Sequence, residues 1–101
     1  MLDLNSKYLK MIKVILSHHV PEMEVWAYGS RVNGDSHDGS DLDLVVINPR
    51  DKTILQKKLA ELREAFSESN IPILIDIHDW AEIPEKFQQE IARNYVVIQP
   101  G

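Results

Sequence analysis

The sequence predicts a small α/β domain of the α+β kind, a mixed β-sheet with helices packed on it. Three observations carry that prediction. Short apolar runs rich in β-branched residues alternate with segments whose apolar residues recur every three or four positions. The resulting order is α, β, turn, β, α, β, α, β. The link between the first two strands is too short for a crossover helix, so these strands are predicted antiparallel and the sheet mixed. The chain has 101 residues, the size of one domain, and residues 1–101 are read as such.

The first helix is predicted over about 5–19, where Tyr8, Leu9, Ile12, Ile15, Leu16 and His19 fall at helical spacing. Asn5 or Ser6 caps its start and Pro21 ends it. Residues 24–28, "EVWAY", read as a strand that stops at Gly29. Residues 41–47, "DLDLVVI", read as a second strand between a Gly-Ser turn and Asn48-Pro49. A second helix is predicted over 51–68, with Asp51 as its cap and Leu55, Leu59, Leu62 and Phe66 as its apolar stripe. Residues 71–79, "IPILIDIHD", give a third strand entered through Pro72. Residues 82–93 suggest a short helix presenting Ile83, Phe87 and Ile91, and "YVVI" at 95–98 a last strand.

The bulk composition excludes several functions. Hydrophobic residues make up 44% and charged residues 27%, ordinary values for a soluble globular protein. The formal net charge of -5 argues against direct nucleic-acid binding, which needs a basic face to release counterions. No cysteine is present, so disulfides, thiolate metal sites and cysteine nucleophiles are absent, in keeping with a cytoplasmic location. The N-terminal residues lack the pattern of a signal peptide, and no apolar run has the length of a membrane span.

The chemistry concentrates in "GSRVNGDSHDGSDLD", residues 29–43. Asp41 and Asp43 lie two apart on a strand, so both project from one face while Leu42, Leu44 and Val46 face the core. Two neighbouring carboxylates repel each other, and a hard divalent cation such as Mg²⁺ relieves that repulsion. Asp76 interrupts the apolar run "ILIDI", where a carboxylate is costly unless it is paired or metal-bound. If the third strand lies beside the second, Asp76 completes a triad. Three carboxylates can hold two Mg²⁺ ions roughly 3.5–4 Å apart, the arrangement used in phosphoryl and nucleotidyl transfer. Gly29 and Ser30 follow a strand, and glycine lets the backbone come close to a phosphate while the Ser30 hydroxyl adds a donor. Arg31 is a candidate cationic contact, against the alternative of a surface ion pair. Asp35 and Asp38 read as turn residues, His18 and His19 as residues of a helix end. His78 shares a strand face with Asp76.

Gly29-Ser30, ten residues, then Asp41-Leu42-Asp43 resembles the signature of the DNA polymerase β-type nucleotidyltransferase superfamily. The wider run "GSRVNGDSHDGSDLDLVV" is most similar to the minimal nucleotidyltransferases, small proteins encoded beside HEPN-domain partners. Asp76 in "IDIHD" is similar to the third aspartate of that group. The resemblance implies the nucleotidyltransferase fold, ATP as substrate and two Mg²⁺ ions as cofactors. It implies that Asp41, Asp43 and Asp76 bind metal and act in catalysis, Asp76 helping an acceptor hydroxyl lose its proton. Gly29, Ser30 and Arg31 would bind the nucleotide. It further implies an antitoxin that forms a hetero-oligomer with a HEPN ribonuclease toxin and transfers AMP to a toxin tyrosine. His37, Asp38, His78 and Asp79 depart from the pattern. Two other functions compete: a silent binding partner that neutralises a toxin by contact, and a transferase acting on small molecules. The second usually needs an extra acceptor domain.

Overall fold

The structure, a computed structural model, describes residues 2–101. Helix α1 spans Ser6–His19, and Asn5 caps it by accepting from the Lys7 amide. Strand β1, Glu24–Tyr28, leads through Gly29 into a single helical turn, α2, Ser30–Asn33. Strand β2 is Leu42–Ile47, helix α3 Leu59–Ser67 and strand β3 Ile75–Asp79. A 3-10 turn at Trp80–Glu82 precedes helix α4, Glu85–Arg93, and strand β4, Val96–Pro100.

The four strands form one sheet in the order β3-β2-β1-β4. β1 runs antiparallel to both β2 and β4, and β2 runs parallel to β3, so the sheet is mixed as the short first link requires. The parallel pair is joined by the long connection that carries α3. Alternation along the two central strands splits their side chains between two cores. Val25, Ala27, Leu42, Leu44 and Val46 pack with Ile12 and Leu16 of α1 and with Leu62 and Phe66 of α3. Trp26, Tyr28, Val45 and Ile47 pack on the opposite face with Trp80 and Ile91. Burial on both faces explains why "LVVI" is apolar without alternation.

Three predicted elements begin later than their patterns suggest, the helix expected from residue 82 starting at Glu85, with Ile83 outside it after the 3-10 turn. The second helix was expected from Asp51, yet α3 starts at Leu59, and Leu55 is 55% exposed. Asp51 instead accepts from the amide and the hydroxyl of Thr53, a local turn that competes with helix initiation. The Gln56 amide donates to the buried Asp79 carboxylate at 2.7 Å, which holds the chain off a helical path. The third strand was expected from residue 71, but β3 begins at Ile75. Pro72 has no N–H for a ladder, and the Leu74 carbonyl closes the lead-in by accepting from the Leu42 amide.

Candidate active site

The sheet register builds the site. Tyr28 of β1 pairs with Asp43 of β2, and Asp43 pairs with Asp76 of β3. These three side chains therefore stand in one row across the sheet, on the face covered further along by Trp80 and α4. His78 follows Asp76 by two positions, so it lies on the same face, beside the buried Val45. Its Nε2 lies 3.0 Å from Asp76 Oδ2. Oxygens of Asp43 and Asp76 and a ring nitrogen of His78 all fall within 4.8 Å of one another. Asp41 precedes β2 and is exposed at the rim of this group.

The row is short of positive charge. The Asp43 carboxyl is raised above its ordinary range, chiefly by burial and then by the Asp76 charge. The nearby His78 pulls it back down, and Asp41 adds a smaller upward push. Burial, together with the Asp43 and Asp76 charges, pushes the Tyr28 phenol far up, so its hydroxyl stays protonated. Among the described residues no lysine or arginine pairs with Asp43 or Asp76 within 4.0 Å. Two carboxylates and an imidazole with that deficit are a donor set that suits a divalent cation.

Gly29 fits here for two independent reasons. Its φ is 81°, a conformation side chains rarely adopt. A Cβ at this position would also overlap the Oδ2 atom of Asp43. The Val32 and Asn33 amides both return to the Gly29 carbonyl at 2.9 Å, which starts α2 at Ser30, directly after the glycine that lies against Asp43.

Arg31 lies elsewhere. It is buried, and its guanidinium donates to four backbone carbonyls, those of Asp3, His37, Asp38 and Ser40. The Arg31 carbonyl in turn accepts from the Asp3 amide at 2.7 Å. The side chain expected at a phosphate is thus engaged with the loop between α2 and β2 and with the Asp3 carbonyl. The same loop is tied internally by the His37 amide on Ser40 Oγ and the Gly39 amide on His37 Nδ1. His37 and Asp38 shape the turn through these contacts. His78 is the residue that the three-carboxylate reading omits, and the signal for it is its spacing of two from Asp76. A cavity of about 490 Å³ lies between Val20 and Lys58, apart from the acidic row.

Residues 10–99 match the family described as Polymerase beta, Nucleotidyltransferase. The chain belongs to the polymerase β nucleotidyltransferase family. Within it, the chain is 45% identical over 98 residues to the probable protein adenylyltransferase MntA of Haemophilus influenzae, covering 97% of this chain and 84% of that protein. The fold of this nucleotidyltransferase also matches the crystal structure of a toxin-antitoxin with AMP-PNP. The TM-score is 0.73 at 19% identity, over 92% of this chain and 73% of the other. The nucleotidyltransferase fold that the resemblance implies is therefore the fold observed. No helix among the described residues is long and apolar enough to cross a membrane.

Proposed function

We propose that this nucleotidyltransferase moves AMP from ATP to a hydroxyl, a tyrosine, of a HEPN-domain ribonuclease toxin and thereby acts as its antitoxin, over residues 1–101 as one domain. The observation that carries the reading is the in-register row of Asp43 and Asp76 beside Gly29 and Ser30. The name of the Haemophilus relative, and the toxin-antitoxin setting of the structural match, support a toxin protein as the acceptor.

In this reading Asp41, Asp43 and Asp76 hold Mg²⁺, two ions in all. Bound Mg²⁺ supplies positive charge against the triphosphate and against the charge that develops during transfer. Ser30 Oγ and the backbone at Gly29 hold the distal phosphates. Arg31 acts at one remove, by holding the loop that delivers Asp41. Asp76 takes the proton of the acceptor hydroxyl. The acceptor oxygen bonds to the α-phosphorus, the bond from that phosphorus to the bridging oxygen breaks, and pyrophosphate leaves.

The test is direct. The purified protein is incubated with the HEPN partner encoded beside it, ATP and Mg²⁺, and intact masses are read. An AMP-sized gain on the partner is expected. In Asp43→Asn the rate should fall by at least about 100-fold, the scale of losing one electrostatic contact to reacting charge. No gain with folded wild-type protein would sink the transferase reading, and neutralisation of the toxin without any gain would favour inhibition by contact.

A further inference from the structure

His78 stands with the acidic row, and the three-carboxylate reading gives it no task. It sits on β3 one strand-repeat beyond Asp76, held over the buried Val45 by the β2–β3 register. Its side chain is 42% exposed, so solvent and ions reach it, and Nε2 is the ring atom turned toward the carboxylates. The imidazole nitrogen and the two carboxylates form the only group of three such donors within 4.8 Å of one another among the described residues. Asp41, the third carboxylate of the sequence signature, stands outside that group.

We propose that His78 Nε2 is a metal donor alongside Asp43 and Asp76, and that it turns a carboxylate site into a mixed nitrogen–oxygen site preferring Mn²⁺ to Mg²⁺. The inference rests on the reading of Asp43 and Asp76 as metal ligands. Mg²⁺ is a hard ion that favours oxygen and retains its waters. First-row transition ions gain more from an imidazole nitrogen. A strand places the two donors of β3 on one side with fixed spacing, so the nitrogen is delivered by the backbone and needs no rearrangement of the fold.

The protein is titrated with Mn²⁺ in wild-type, His78→Gln and Asp43→Asn forms, with free Mn²⁺ followed by electron paramagnetic resonance and Mg²⁺ added in competition. Circular dichroism checks that each variant is folded. Bound Mn²⁺ in the wild type should show the nitrogen modulation of a coordinated imidazole, and His78→Gln should lack it. Mn²⁺ affinity should fall about tenfold or more in His78→Gln, the scale of perturbing a metal site, with a clearly smaller loss for Mg²⁺. Absence of the nitrogen signal from wild-type protein with Mn²⁺ bound, or equal losses for both ions, would overturn the proposal and leave His78 as a partner of Asp76 alone. Failure of wild type to bind Mn²⁺, or undiminished binding by Asp43→Asn, would instead overturn the carboxylate reading and this inference with it.

Discussion

Gly29 shows how one residue couples backbone conformation to the site. Its positive φ and its contact distance to Asp43 both exclude a side chain. Gly29→Ala is expected to destabilise the fold by about 1–3 kcal/mol, the usual strain of a disfavoured conformation, and to displace the Asp43 carboxylate. Urea unfolding and the AMP-transfer assay measure the two effects. Asp43 illustrates the opposite balance. Burial and the Asp76 charge raise its carboxyl above the ordinary value of 3.8. An acid with a raised pKa binds more protons folded than unfolded, so stability falls as pH rises from the ordinary value through the folded one. Above that window the carboxylate weakens the metal-free fold. Asp43→Asn should therefore stabilise metal-free protein in EDTA, by about 1 kcal/mol at most because solvent screens the group, and so raise its Tm. Mg²⁺ should raise the Tm of wild type and leave that of Asp43→Asn unchanged. Scanning calorimetry with and without the ion decides both points.

At the scale of elements, the loop between α2 and β2 matters most. Its composition of Gly, Asn, Ser and Asp reads as a turn, and it is one. What composition does not reveal is that a buried arginine organises it. Arg31→Met removes hydrogen bonds to four carbonyls at once. A loss of about 2–4 kcal/mol is expected, since buried acceptors left without donors cost about 1–3 kcal/mol each and some regain water. Hydrogen exchange should speed up across residues 34–41 and stay slow in β1 and β2, while transfer activity falls with Asp41 no longer held in place. Unchanged exchange in that loop would show that the clamp is dispensable. The late start of α3 teaches a similar lesson. Leu55 continues the helical periodicity, but Asp51 and Asp79 capture the nearby amides first.

For the whole molecule, β1 and β2 are covered on both faces, and the acidic row stands at one end of that rigid centre. Leu44 is fully buried between the sheet and the α1/α3 layer. Leu44→Ala should cost about 2–5 kcal/mol, a large part of the 5–15 kcal/mol that holds a domain of this size together. A fall in Tm without loss of the cooperative transition is the expected outcome. A broad, non-cooperative melt would mean that the two cores stabilise each other less than their shared strands imply. The mixed topology follows from connection lengths: the short link allows only an antiparallel neighbour, and the long link through α3 permits the parallel one.

The sequence by itself determined the order of elements, the four strands and the Gly-Ser and Asp-x-Asp pattern. These rest on local periodicity and spacing, which a single chain displays without knowing its neighbours. Only the tertiary structure decided the direction of Arg31, the late start of α3 and the placing of His78 with Asp43 and Asp76. Each depends on atoms distant along the chain: carbonyls of Asp3 and Ser40, the carboxylate of Asp79, and the parallel register of β2 against β3. Hydrogen-bond and charge partners of that kind are chosen by packing, and packing is a property of the assembled sheet.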